Sequence, residues 1–271
     1  MRLVKIFDFH VHIFPDELAK RAIPKLAQAA CLTPLCDGTL SGTVSYMRES
    51  GIDGFLSLSV ATNETQQANV NRFACHVEQS GINGVHAFGS FYPKAPDALD
   101  HLKNVHASGL RGVKLHPEYQ AYDIDDRSVY PLYEACRDLG LIIVFHTGLD
   151  CAFPDSLRAS VPQVMRVADE IKGFKMVAAH FGGYKHADEV AVTLAGKSDI
   201  YLDTSFSAGH LAPGIAQKII SRHGAERILF GSDCPWGSPR AHIEYIDRLK
   251  LTGRQKELIF AGNAMRLLGY C

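Results

Sequence analysis

A short apolar run that ends in a turn and gives way to an amphipathic stretch recurs along the whole chain, and this alternation restricts the fold more than any other property of the sequence. The runs are "LVKIFDFH" (3–10), "GFLSLSV" (54–60), "VHAFGSF" (85–91), "LRGVKLH" (110–116), "LIIVFH" (141–146), "KMVAAH" (175–180), "IYLDTS" (200–205) and "ILFGSD" (228–233). Helical periodicity fills 43–50, 64–80, 97–108, 128–139, 161–172, 185–196 and 213–223, and two more helices, 240–250 and 253–268, follow the last run. Strand-then-helix order throughout implies a parallel sheet, because only a crossover can join parallel neighbours. Eight such units in 271 residues suit a closed barrel. An open doubly wound sheet would carry a glycine fingerprint after its first strand, and here "HVHIFPDEL" follows instead. The expectation is an α/β fold: one (β/α)8 TIM barrel over 1–271, with a helical insertion after strand 1 (15–42) and a C-terminal helix. Leu18, Ala22, Leu26 and Ala29 give that insertion one apolar stripe for packing, and its place after a strand end suits it to act as a lid.

Composition excludes several partners. A net charge of −1 gives no electrostatic reason for nucleic acid or an anionic membrane to bind. No run approaches the ~18 apolar residues of a membrane span, and the first residues lack the apolar core of a secretory signal. Seven cysteines without Cys-x-x-Cys spacing read as reduced thiols, so the expected location is cytoplasmic. The expected partners are a small-molecule substrate and a second copy of the chain in a homodimer.

The polar residues fall where a barrel does its chemistry. His10 and His12 end the first run, Lys114 and His116 the fourth, His146 the fifth, His180 the sixth and Asp233 the eighth. Residues i and i+2 of a strand share a face, so His10 and His12 point together while Phe9 and Val11 point away. By itself such a pair is more often two hydrogen-bonded imidazoles than a metal site. In a closed barrel, however, all these strand ends ring one mouth, and strands one and eight are neighbours, which brings Asp233 to the two histidines. Several imidazoles with a carboxylate suit a borderline divalent metal, zinc first, with manganese, iron or cobalt as alternatives, one or two ions per chain. His76, His101, His106, His223 and His242 fall on helices or helix ends and are expected at the surface.

The segments "DFHVH", "GVKLHP", "FHTG", "AHFGG", "FGSDCPW" and "GNAMRLLG", in this order, resemble the amidohydrolase superfamily, within it the amidohydrolase-related branch of TIM-barrel metal-dependent hydrolases. The resemblance implies that His10, His12, His146 and Asp233 bind a catalytic metal. It further implies that His180 ligates a second metal in a binuclear site or contacts the reacting water. Lys114 lies in a segment similar to the dihydroorotase strand whose lysine, once carboxylated, bridges two metals; its rival roles are a free ammonium for a substrate carboxylate or an internal ion pair. The implied activity is hydrolysis of an amide, ester, lactone or cyclic imide by a metal-activated water, with Asp233 carrying the proton. Non-oxidative decarboxylation of a small carboxylic acid is the alternative, and a catalytically silent binding barrel the third reading. His116, Lys114, Tyr92, Phe181 and Trp236 are the candidate substrate contacts, with Asn63, Thr147 and Ser205 as further walls.

Overall fold

β-Branched and aromatic residues dominate the eight runs, and each forms a strand in the computed structural model, which describes residues 5–197 and 200–270. In chain order the elements are β1 Phe7–Val11, α1 Asp16–Ala30, α2 Leu40–Glu49, β2 Gly54–Leu58, α3 Gln67–Glu78, β3 Val85–Phe88, α4 Ala98–Ala107, β4 Gly112–Leu115, α5 Pro117–Gln120 and α6 Tyr130–Asp138. There follow β5 Ile142–Phe145, α7 Val161–Glu170, β6 Lys175–Ala178, α8 Ala187–Val192, β7 Ile200–Asp203, α9 Pro213–His223, β8 Ile228–Leu229, α10 Pro239–Arg248, α11 Gly253–Glu257 and α12 Asn263–Leu268. Residues 3 and 4, which the first run includes, lie outside the described residues.

The strands pair in parallel as two sheets, β1-β2-β3 and β4-β5-β6-β7-β8. Single bridges close both seams, Gly89 with Val113 on one side and Val11 with Cys234 on the other, and the Phe9 amide donates to Phe230 O at 2.7 Å. The result is a barrel, with strand one beside strand eight. Side chains alternate between two apolar clusters. Phe55, Ile143, Phe145, Met176, Ile200 and Ile228 face the surrounding helices, whereas Leu56, Leu58, Phe88, Ile142, Val144, Val177 and Leu229 meet one another inside. Leu267 and Leu268 of α12 join that inner cluster, and the Arg111 guanidinium at the start of β4 donates to Leu268 O, so α12 closes the N-terminal end. Fully burying side chains of this size stabilises by roughly 1.5–3 kcal/mol each, which leaves the opposite end free to hold polar groups.

Four local expectations need correction. The eighth strand is two residues long, and Phe230 to Asp233 continue as loop, their amides donating to side chains or to carbonyls distant in sequence instead of to the β7 ladder. Phe9 and Val11 do not share a face: Phe9 joins the inner cluster and Val11 the outer one, since the β1–β2 register slips between Asp8 and Val11. In α1 the buried residues are Ala19 and Ile23, while Leu18 is 43% exposed; the stripe that packs is displaced by one residue from the expected one. Farther along, 253–268 is interrupted by a π-turn at Leu258–Gly262 between α11 and α12.

Candidate metal centre

The strand ends bring His10, His12 and Asp233 together, with one ligand atom of each within 4.8 Å of the others. Asp233 leaves β8 on a left-handed turn, φ 71°, where its amide donates to His10 O at 2.9 Å and its carbonyl accepts from the Trp236 amide at 2.8 Å. A non-glycine residue in that region costs of order 1–3 kcal/mol, and these two bonds hold it there. His180 has the same backbone conformation, φ 58°, fixed by its amide donating to Asp203 Oδ1 at 2.9 Å.

Partners behind the rings decide which nitrogens carry protons. His10 Nδ1 donates to Asp203 Oδ2 at 2.8 Å, and His12 Nδ1 donates to Leu58 O at 2.7 Å. Burial, with the adjacent Lys114 ammonium, pushes the His10 imidazole down to about 3, so this ring is neutral at pH 7. With its proton at Nδ1, His10 presents an Nε2 lone pair, and the Nε2 atoms of His10 and His12 lie 3.3 and 3.0 Å from Asp233 Oδ1. Three atoms of the kinds that ligate metals thus lie together. Lys114 Nζ, 3.3 Å from His10 Nε2, is the cation already at hand, and burial pushes its pKa down to about 8.

A second confrontation lies beside the first. His180 Nδ1 donates to Ser205 Oγ at 2.8 Å, while the Ser205 hydroxyl donates onward to Asp203 Oδ1. His146 Nε2 donates to Leu149 O at 3.2 Å. This assignment leaves His180 Nε2 and His146 Nδ1 as lone pairs 3.0 Å apart. Burial lowers both imidazoles, His146 well below the ordinary value. The His180 ring stands 5.2 Å from that of His10, centre to centre. Imidazoles whose outer nitrogens are held from behind, with inner nitrogens converging on a carboxylate, offer the donor types that a divalent metal takes, and the residues fit such an ion.

His116 sits apart from this set. Its Nε2 is 3.2 Å from Asp150 Oδ2, and its ring stacks on that of His146 with centres 4.0 Å apart. His116, His146 and Asp150 form a second group whose ligand atoms also lie within 4.8 Å of one another. The other side of His116 faces Glu118, Nδ1 to Oε2 3.8 Å, and neither atom has a hydrogen-bond partner. Burial raises the Glu118 carboxyl to about 6.

Of the remaining candidates, Lys114 lies inside β4, one residue before its end, and is fully buried beside His10. Ser205 belongs to the His180 network, and the Thr147 hydroxyl donates to Ala179 O at 2.6 Å. Tyr92 is half-buried against the outer cluster, and Phe181 is buried within that cluster. Trp236 is half-buried three residues from Asp233, and Asn63 is exposed. Gly148, just after His146, has φ 84° and pairs with Tyr184, where a Cβ would collide with the Tyr184 backbone; only glycine lets these two loops approach.

Sequence reasoning passed over Asp203, Asp150 and Glu118. Asp203 is fully buried, and against that burial the His10 imidazole and its other donors hold the carboxyl below the usual range. The signal was present, since Asp203 ends β7 in "YLDTS" as the histidines end theirs. His223 and His242, expected at the surface, are buried. His223 Nε2 donates to Ile200 O at 2.8 Å and Nδ1 accepts from the Gly196 amide. His242 Nδ1 donates to Ser238 O at 2.8 Å, and its Nε2 accepts from the Ser207 and Ala208 amides. Backbone partners thus repay the burial of both rings.

Fold and strand-end residues define the class: a TIM barrel whose polar residues gather at the C-terminal mouth, the face where such barrels carry their chemistry. A family profile described as Amidohydrolase matches residues 7–270, and the chain belongs to the amidohydrolase family. No curated protein matches it significantly. Solved structures similar to it include an uncharacterised TIM-barrel protein from Bordetella bronchiseptica, at 22% identity and TM-score 0.81 over 98% of this chain and 99% of the other. A dihydroxybenzoic acid decarboxylase from a Polaromonas strain, solved with manganese and the inhibitor 2-nitroresorcinol, has 16% identity and TM-score 0.75 over 98% of this chain and 97% of its own. A protein provisionally named 2-pyrone-4,6-dicarboxylic acid hydrolase, from Pseudomonas putida, has 18% identity and TM-score 0.67 over 100% and 99%. At these identities the likeness is one of fold. Among the described residues no helix is long and apolar enough to cross a membrane.

Proposed function

We propose that the chain is a metal-dependent hydrolase of small molecules, cleaving an amide, ester, lactone or cyclic imide. The carrying observation is the convergence of His10 Nε2, His12 Nε2 and Asp233 Oδ1, with the two nitrogens 3.3 and 3.0 Å from the oxygen. His10, His12 and Asp233 would hold a divalent ion, zinc in the first instance, with His146 and His180 offering the adjacent pair of lone pairs. Such an ion supplies Lewis acidity and lowers the pKa of a water from about 15.7 toward ~7. Asp233 takes the proton of the attacking water and passes it to the leaving group. His180, its Nδ1 proton committed to Ser205, orients that water through Nε2. Lys114, an ammonium at neutral pH, anchors an anionic end of the substrate beside His10. The insertion 15–42, which contains α1, is proposed as the lid.

Decarboxylation is the second reading, and the same lysine favours it. A buried ammonium beside the candidate ion would hold a carboxylate at the reacting centre, and several of the structural neighbours are decarboxylases. The test is a screen of the zinc- and manganese-loaded protein against small esters, lactones, imides and aromatic carboxylic acids, following both carbon dioxide and acid release. Acid release without carbon dioxide establishes hydrolysis; carbon dioxide release establishes the second reading; inertness of the loaded protein refutes both. Two ions per chain would identify Lys114 as a carboxylated ligand instead of an ammonium.

A further inference from the structure

Cys36 and Cys234 are 198 residues apart, yet the fold sets their sulfurs 3.8 Å from each other. Sequence spacing gives no hint of this, because Cys31 is the nearest cysteine to Cys36 along the chain. Cys36 lies in the loop between α1 and α2, and Cys234 directly follows Asp233. The two backbones are already tied: the Leu35 amide donates to Pro235 O at 2.9 Å, and the His12 amide to Cys234 O at 2.7 Å. Accessibility differs between the partners, since Cys36 is partly exposed and Cys234 fully buried.

We propose that Cys36 and Cys234 form a redox pair that closes to a disulfide when a peroxide reaches Cys36, stapling the insertion after β1 to the loop that carries Asp233. The Cys36 sulfur attacks one oxygen of hydrogen peroxide, the O–O bond breaks, and a sulfenic acid and one water result. The Cys234 sulfur then attacks the Cys36 sulfur, the S–S bond forms, and the hydroxyl leaves with the thiol proton as a second water. Two thiols are oxidised and one peroxide is reduced. Closing requires an approach from 3.8 Å to about 2.05 Å between loops that the Leu35–Pro235 hydrogen bond already joins. The hydrogen bond from Cys234 holds the Cys36 thiol below its ordinary value, which favours the thiolate at the partner an oxidant reaches first. A bond here crosses between the proposed lid and Asp233, so oxidation would fix the mouth in one arrangement. The pairing itself rests only on the sulfur geometry and stands apart from the assignment of the metal.

Graded hydrogen peroxide on the reduced full chain, N-ethylmaleimide quenching and non-reducing peptide mapping test it. The expected product is a Cys36–Cys234 linked peptide that forms before modification of Cys31, Cys75 or Cys151, disappears with dithiothreitol, and is absent in Cys36→Ser. The oxidised wild type should also melt at a higher temperature than the reduced protein, and Cys36→Ser should show no such shift. Cys36 ending as sulfinic acid with Cys234 still alkylatable only after unfolding, or pairing of Cys36 with Cys31, would overturn the proposal. Should Cys36→Ser melt below the reduced wild type, Cys36→Ala supplies the same comparison.

Discussion

The barrel buries two kinds of histidine, and the difference between them separates a candidate site from structure. His223 and His242, in α9 and α10, are as buried as any residue at the mouth, and each of their nitrogens has a backbone partner of the matching kind. At the mouth the outer nitrogens of His10 and His12 bond a carboxylate and a carbonyl, while the inner ones gather with Lys114 Nζ and Asp233 Oδ1, a set of ionisable side chains with no backbone partner among them. Burial alone therefore marks nothing. What marks a candidate metal centre is several ligating side-chain atoms converging on one another at a strand-end mouth, with their far nitrogens held in place from behind.

The comparison breaks most sharply at Asp233. Asp233→Asn should lower turnover of any substrate found by the screen by about 10²–10⁴-fold, with circular dichroism unchanged; full activity in this variant would remove its role as proton carrier. Asp203→Asn acts one step back, because it loosens the hold on His10 Nδ1. Metal affinity by titration calorimetry should fall ~10–100-fold, and an unchanged affinity would mean that His10 needs no such support. In the wall the expectation reverses. His242→Ala leaves the Ser207 and Ala208 amides without their acceptor and should cost ~1–3 kcal/mol in urea unfolding with metal content untouched.

Acid sharpens the contrast further. Burial holds His223 and His242 at about 4 in the fold, against an ordinary 6.5, so between these values the unfolded chain binds more protons. Their contribution to stability is full above pH 6.5 and is lost as the pH falls toward about 4. The double variant His223→Gln, His242→Gln should show a shallower decline across that window; an equal slope would place the titration elsewhere. The smallest effect is expected at Trp236, the single tryptophan, whose emission should change on metal addition because it stands three residues beyond Asp233.

Strand order and the strand-end positions of His10, Lys114, His146 and His180 were legible because alternation of apolar runs with helices fixes both the sheet and the end at which its side chains gather. Asp203 was not, although it ends its strand in the same way. Its part arises from facing His10 across the barrel, a relation between β7 and β1 that no local pattern carries. Phe9 and Val11 were misplaced for a related reason: strict alternation assumes a regular ladder, and the register slip after Asp8 is set by pairing with β2. The burial of His223 and His242 escaped notice because helical periodicity weighs histidine as polar, whereas here backbone carbonyls and amides accommodate the ring. The pairing of Cys36 with Cys234 depends wholly on the closed barrel, which brings strand eight back to strand one.

The most direct measurement is anomalous diffraction from crystals of the protein loaded with zinc or manganese, collected at the metal edge for the wild type and for Asp233→Asn. The predicted result is a wild-type peak about 2.0–2.2 Å from His10 Nε2, His12 Nε2 and an Asp233 oxygen, weakened or lost in the variant. A mouth without a peak after loading, or an ion bound equally well without the Asp233 carboxylate, would contradict the account.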